Sequence, residues 1–124
     1  MALQATFRYK AEVTDCAARR REGMQAKAEF PAKVPLAVGR VQSSQLPELT
    51  NYKILFPSSV SVGDLCTYLN GKLKRSDNAP LYIYVAKDTL LSRLTSIDEV
   101  YQEYRDDDYF LYLAYYEVNI HLKR

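Results

Sequence analysis

The feature that most restricts the fold of this chain is a ten-residue run near its carboxyl end, YFLYLAYYEV, from Tyr109 to Val118. Nearly every residue in the run is apolar or aromatic, so an extended strand formed by it would be apolar on both faces. Such a strand requires cover on both faces and is typical of the interior of a sheet. We therefore predict a central strand here.

Three other segments have the composition of strands. Two are short apolar runs bounded by prolines and polar residues, and the third, LYIYVA, places its two tyrosines on one face and Ile83 and Val85 on the other. These predicted strands are Val34 to Val41, Tyr52 to Phe56 and Leu81 to Ala86.

Helical patterns lie before and between these strands. Thr14 to Phe30 is rich in Ala, Arg, Lys and Glu and is followed by a proline, which predicts a basic helix. Ser61 to Arg75 has apolar residues at spacings of three and four, and Ser96 to Arg105 is shorter. Both segments open with a serine three residues before an acidic residue, the pattern of a capping box. Phe7 and Tyr9 lie in a segment that fits one turn of helix.

The resulting order is helix, strand, strand, helix, strand, helix, strand. It predicts an α+β fold of the β-grasp type, and the chain of 124 residues is suited to a single domain. A ferredoxin-like split βαβ fold is the main alternative. That fold would need an opening strand where this sequence has a helix.

The cysteines and the hydropathy of the sequence indicate the cellular compartment that we expect. Cys16 and Cys66 are the only cysteines, which indicates neither a disulfide framework nor a zinc site and suits a reducing cytoplasm. The amino terminus lacks the apolar core of a signal peptide, and no segment has the length needed to cross a bilayer. We expect a cytoplasmic protein that meets membranes only when conjugated or through partners.

Residues suited to catalysis are sparse. His121 is the only histidine, and a lone histidine near a chain end is typically solvated. Cys66 lies on the apolar stripe of its predicted helix, and the four glycines form no phosphate-binding pattern. Asp106 to Asp108 are consecutive acids without spaced partner ligands, which predicts a solvated loop and no metal site. We expect no enzymatic activity and no cofactor.

The net charge is unevenly distributed along the chain, positive in the first part and negative in the second. Residues 1–53 carry nine basic and five acidic side chains, and residues 54–124 carry eight and ten. Arg19 to Arg21 are not interleaved with aromatic residues, so nucleic acid is not indicated, and we expect an exposed helix face. A basic helix of this kind also suits acidic protein surfaces.

Three blocks in the same order resemble one known family. They are RRREGMQAKAEFPAKVPLAV from Arg19, YKILFPSSVSVGDL from Tyr52 and VYQEYRDDDYFLYLAYY from Val100. Over roughly Phe7 to His121, the chain resembles the autophagy ubiquitin-like modifiers, of the GABA-receptor-associated protein and microtubule-associated protein light chain three type. The resemblance implies a four-stranded mixed β-grasp sheet at 32–121 with two additional amino-terminal helices at 1–31.

The family binds short motifs, an aromatic residue followed three positions later by an aliphatic one, by pairing them with the edge of the second strand. Matching positions imply an aromatic pocket formed by Glu22, Ala26, Pro35, Ala37, Lys53, Leu55 and Phe110. They imply an aliphatic pocket formed by Ile54, Phe56, Pro57, Val60, Leu65, Tyr68 and Leu69. Lys33, Lys53 and Lys72 would meet acidic residues that flank the motif. Ala26 and Ala37 stand where larger side chains are usual, which predicts a deeper aromatic pocket.

Family members are joined to phosphatidylethanolamine through a carboxyl-terminal glycine. Leu122 stands at the corresponding position here, and no glycine follows Gly71, so the resemblance implies no lipidation of the sequence as written. The leading hypothesis is an adaptor that binds motif-bearing autophagy receptors and is recruited to autophagosomal membranes, with a role in protein transport. The alternatives are a lipid-conjugated autophagosome modifier, which would meet the family protease and conjugation enzymes, and a trafficking or cytoskeletal adaptor whose basic helix binds tubulin.

Overall fold

The computed structural model describes residues 4–86 and 88–117, and its centre is one mixed sheet. The strands are β1 (Ala5–Thr6), β2 (Lys33–Val41), β3 (Lys53–Pro57), β4 (Leu81–Val85), β5 (Thr89–Leu90) and β6 (Leu111–Glu117). The helices are α1 (Arg8–Glu12), α2 (Cys16–Glu29), α3 (Val62–Lys72) and α4 (Ile97–Tyr104). Within the residues described, no helix is both long and apolar enough to span a bilayer.

Strand β6 lies in the middle of the sheet, as its composition predicts. It pairs in parallel with β2, where Leu36 lies opposite Leu111, and antiparallel with β4, where Ile83 lies opposite Tyr115. Strand β3 pairs antiparallel with the other edge of β2. The four long strands therefore have the spatial order β3-β2-β6-β4.

Two short strands add to the four that were predicted. Strand β1 pairs with the carboxyl end of β2, and β5 pairs with the end of β4. Each has only two residues, too few for a periodic signal. Gly39 allows β1 to lie this close, because a Cβ built at Gly39 would stand 2.5 Å from the Thr6 carbonyl oxygen.

The predicted capping boxes are present at both later helices. The Ser61 side chain accepts the Asp64 N–H while Asp64 accepts the Ser61 N–H, and Ser96 and Glu99 make the same exchange. Helix α2 starts one residue after Asp15, whose side chain accepts the Ala17 N–H at 3.0 Å.

Apolar side chains fill both faces of the sheet. The larger cluster lies under α3 and α4 and includes Leu36, Leu65, Leu69 and Leu113. The smaller cluster consists of Tyr9, Ala37 and Phe110. Cys66 belongs to the larger cluster, where burial raises the pKa of its thiol, as expected of a structural cysteine.

Two surface predictions are wrong. Arg19 is buried rather than exposed on the helix face, and Asp108 is fully buried rather than solvated. The cause is one ion pair, because Arg19 Nε donates to Asp108 at 2.9 Å and a buried charge requires such a partner.

Candidate functional site

A cavity of about 270 Å³ opens between α2 and β3. Its lining residues are Glu22, Ala26, Pro35, Lys53, Ile54, Leu55 and Phe110. Six of these seven belong to the set assigned by resemblance to an aromatic pocket. Ile54 is the addition, and Ala37 is absent from the lining.

Ala37 lies beneath this cavity instead of in its wall. It is fully buried in the cluster with Tyr9 and Phe110, whose ring centroids are 4.6 Å apart. The small side chain at Ala37 thus faces packed aromatic rings. Of the two alanines expected to deepen the pocket, only Ala26 borders the open space.

A charged network stands at the mouth of the cavity. Lys53 Nζ donates to Glu22 at 2.6 Å, and the Tyr9 hydroxyl donates to the same carboxylate. Burial acts to raise the pKa of Glu22, but the hydrogen bonds from Lys53 and Tyr9 outweigh it and hold that pKa below its usual value. Burial and the Glu22 carboxylate raise the pKa of Tyr9. The site therefore presents a carboxylate and an ammonium group together.

The outer edge of β3 is open. Val38 N–H donates to the Tyr52 carbonyl at 2.8 Å, and Ser58 N–H donates to the Ala32 carbonyl at 3.0 Å. Bonded and non-bonded pairs alternate along an antiparallel ladder. The main-chain groups of Lys53 and Leu55 consequently point away from β2, and Leu55 is exposed. The Asn51 side chain accepts the Lys53 N–H at 3.3 Å, so the groups open to an added strand are the Lys53 carbonyl and the N–H and carbonyl of Leu55.

A second cavity, of about 330 Å³, lies on the opposite face of β3. Its lining residues are Pro47, Glu48, Leu49, Thr50, Asn51, Ile54, Tyr68, Lys72, Leu73 and Lys74. Only Ile54 and Tyr68 of the predicted aliphatic pocket are among them, together with Lys72 from the predicted cations. The cavity lies nearer the amino end of β3 than the resemblance implies.

The other predicted aliphatic residues occupy different surroundings. Leu65 and Leu69 are fully buried in the core, Phe56 is nearly so, and Val60 packs against the same cluster half-buried. Pro57 is exposed at the end of β3. These side chains do not border the second cavity.

Lysines stand at both ends of the open edge. The Lys33 ammonium lies 5.7 Å from the centroid of the Phe30 ring, and the Lys72 ammonium lies 5.4 Å from that of Tyr68. Lys33 lies opposite Pro57 in the ladder and Lys72 ends α3. Both lysines are exposed and can meet acidic groups that flank a bound strand.

Residues that sequence reasoning missed hold Phe110 in position. Asp108 accepts the Phe110 N–H at 2.9 Å, the Tyr112 hydroxyl and Arg19 Nε. The local signal, an aspartate two residues before Phe110, was available as an Asx turn. Its burial was not, because it depends on Arg19, which is 89 positions away.

The helix-covered sheet, its late central strand and its open edge define a ubiquitin-like protein. The family model for "Autophagy protein Atg8 ubiquitin like" matches residues 18–121. The chain belongs to the Atg8 family. Proteins of this family act in autophagy as modifiers or adaptors rather than as enzymes, associate with autophagosomes, and interact with receptors and the conjugation machinery.

Individual relatives agree with this assignment. Autophagy-related protein 8i of Arabidopsis thaliana is 31% identical over 94 residues, covering 76% of this chain and 81% of the relative. Autophagy-related protein 8d of the same plant is 28% identical over 97 residues, covering 78% and 80%. The crystal structure of Trypanosoma brucei ATG8 superposes with a TM-score of 0.78 at 26% identity, covering 82% of this chain and 87% of that one.

The resemblance and the ubiquitin-like fold expected from the sequence are thereby confirmed. The predictions for His121 and Leu122 lie outside the described residues.

Proposed function

We propose that this protein is an autophagy adaptor that binds short aromatic-x-x-aliphatic segments of receptors by adding them as a strand to the edge of β3. Main-chain hydrogen bonds would supply affinity, and the flanking cavities would supply selectivity. The protein contributes no chemistry in this role, only a surface.

The observation that carries the proposal is the open edge of β3 with a cavity on each of its faces. Phe110 and Leu55 line the cavity toward α2. Ile54 and Tyr68 line the cavity toward α3. Successive side chains of an extended peptide point to opposite faces. A bound strand can therefore fill both cavities only with residues at an odd spacing.

A spacing of three satisfies this geometry. Residues three apart lie on opposite faces and are separated by about 10 Å along a strand. The aromatic ring would enter the cavity beside Phe110, and the aliphatic residue would enter on the α3 side. Acidic residues flanking the motif would meet Lys33 or Lys72.

The test is calorimetric titration with a peptide that has an acidic residue, an aromatic residue, two spacers and an aliphatic residue. We expect micromolar binding, about −8 kcal/mol. Leu55→Ala should weaken it because Leu55 lines the cavity while its side chain is 37% exposed, so folding is little affected. Leu94→Ala is the matched control, since Leu94 is 92% exposed and lines neither cavity.

Absence of binding by the folded wild-type protein would reject the proposal. Binding that survives Leu55→Ala but is lost when Arg20 and Arg21 are both changed to Gln would favour the alternative adaptor that uses the basic helix. That binding would also weaken steeply with salt, because exposed charges are screened within about 10 Å at 0.1 M ionic strength.

A further inference from the structure

Two arginine side chains stack on the ring of Tyr109, where α2 meets the end of α4. The guanidinium carbon of Arg105, which directly follows α4, lies 4.1 Å from the ring centroid, and that of Arg20, on α2, lies 5.0 Å from it. A tyrosine ring attracts a cation over its face, and the guanidinium plane that stacks on it keeps its N–H donors free to bind. Tyr109 is therefore a platform that holds two positive charges close together.

The main chain holds Tyr109 in an unfavourable conformation. Its φ is 69°, in the left-handed region that a bulky residue rarely adopts. The Tyr109 N–H donates to the Asp106 carbonyl at 3.0 Å, and the Tyr101 hydroxyl donates to the Tyr109 carbonyl at 2.7 Å. A glycine would relieve the conformational cost but would remove the ring. Strained residues are concentrated at functional sites, which gives the ring of Tyr109 a reason to be there.

Both guanidinium groups have donors left for a ligand. Arg20 donates to the Asp107 carbonyl at 2.8 Å, and Arg105 donates to the Asp106 carbonyl at 3.1 Å. These acceptors are neutral main-chain groups, and an arginine has several further N–H donors. Within the part of the chain that the structure describes, no carboxylate forms an ion pair with either arginine. Two exposed positive charges are thus held in place without a counter-charge.

A phosphoryl group fits this pair of arginines better than a single carboxylate does. A phosphorylated serine or threonine carries a charge of about −1.5 to −2 at pH 7 and three strong acceptor oxygens. A carboxylate has one charge and two oxygens, which suit the fork of one guanidinium. Two guanidinium groups on one ring can therefore both bind one phosphoryl group.

The surroundings of the two arginines favour a protein ligand. Helix α4 carries three exposed acids, Asp98, Glu99 and Glu103. A membrane or a nucleic acid presents negative charge over a wide area and would meet these acids as well. Met24 lies one helical turn after Arg20 and is 47% exposed, so it offers an apolar contact to a residue next to the phosphate.

We propose that Arg20, Arg105 and Tyr109 form a binding site for a phosphorylated serine or threonine of a partner protein, with an apolar residue of the partner against Met24. Capture of that partner would depend on its phosphorylation. None of the three residues lines either cavity beside β3, so this site is independent of the proposed motif binding.

The test is a titration of the isotope-labelled protein, followed by NMR, with capped peptides that carry phosphoserine, glutamate or serine before a leucine. Inorganic phosphate and vesicles containing a phosphoinositide are the other probes. Arg20→Gln and Arg105→Gln each remove one guanidinium, and Tyr109→Gly removes the platform while suiting the left-handed main chain. Arg21→Gln is the matched control, because it removes the same charge from an exposed position of the same helix. Circular dichroism checks that each variant is folded.

We expect the phosphoserine peptide to bind at least about tenfold more tightly than the other peptides and inorganic phosphate. Arg20→Gln and Arg105→Gln should each weaken it by about tenfold and Tyr109→Gly by at least about threefold, whereas Arg21→Gln should change it by less than about twofold. The proposal is overturned if the phosphoserine peptide does not bind, or if the glutamate peptide or inorganic phosphate binds as tightly. Equal losses in Arg21→Gln and Arg20→Gln would also overturn it, as would binding to the vesicles alone.

The outcome is separate from that of the motif titration. Leu55→Ala alters the edge of β3 and should leave phosphopeptide binding unchanged, because Leu55 belongs to the cavity beside that edge. Loss of phosphopeptide binding in folded Leu55→Ala would place the ligand in the groove and overturn the separate site.

Discussion

Gly23 approaches Asp108 so closely that a Cβ built on Gly23 would stand 2.1 Å from the Asp108 carbonyl oxygen. Helix α2 packs there against main-chain atoms, which cannot move aside as a flexible side chain could. We expect Gly23→Ala to destabilise the protein by about 3 kcal/mol or more, measured as the free energy of unfolding in urea.

Gly71 supplies the matched control for this substitution. It is also in a helix, α3, but a Cβ there would meet nothing within 4 Å. Gly71→Ala should therefore raise the free energy of unfolding by roughly 0.5–1 kcal/mol through helix propensity. Equal effects of the two substitutions would contradict the close approach of α2 to Asp108.

The central strand could be predicted because its signal is local. Tyr109 to Val118 is apolar on both faces, and only an interior strand tolerates that composition. The two capping boxes were predictable for the same reason, since Ser61 and Ser96 each lie three residues from their acidic partners.

The burial of Arg19 was not predictable from its surroundings in the sequence. Arg19 to Arg21 form a uniform basic run, and only the approach of Asp108 distinguishes the first of them. The location of the second cavity was hidden similarly. It depends on where α3 ends. Glycine after a helix is the usual sequence signal of that end, but here Lys74 occupies the left-handed position, with φ of 60°.

Removing one member of the buried Arg19–Asp108 ion pair should lower the free energy of unfolding strongly. Asp108→Asn should destabilise the protein by about 3–5 kcal/mol, because it leaves the buried guanidinium without its counter-charge. Lys10→Ala breaks the exposed Lys10–Asp106 pair, also 2.9 Å long, and should cost about 1 kcal/mol or less. Thermal and urea unfolding would measure both, and comparable losses would show that burial does not set the cost.

Protonation of Glu22 should affect stability in a defined pH range. The folded protein holds the pKa of Glu22 below its usual 4.5, so its carboxylate stabilises the fold above about pH 4.5 and loses that effect as the pH falls through the lowered pKa. We expect wild type to be more stable than Glu22→Gln at neutral pH, with the difference shrinking in acid. Unfolding of both proteins between pH 7 and pH 3 tests this, and a constant difference would contradict it.

Blocking the main-chain groups at the edge of β3 should abolish peptide binding without loss of the fold. The Leu55 N–H points away from β2, so Leu55→Pro removes a donor that the sheet does not use. We expect Leu55→Pro to remain folded by circular dichroism and to lose at least about tenfold in affinity, whereas Leu55→Ala, which keeps the N–H, should lose less. Methylating the facing amide nitrogens of the peptide should cause a similar loss with the wild-type protein, because strand pairing needs both partners. If the proline variant and the methylated peptide both bind normally, the ligand is held by side-chain contacts and not as an added strand.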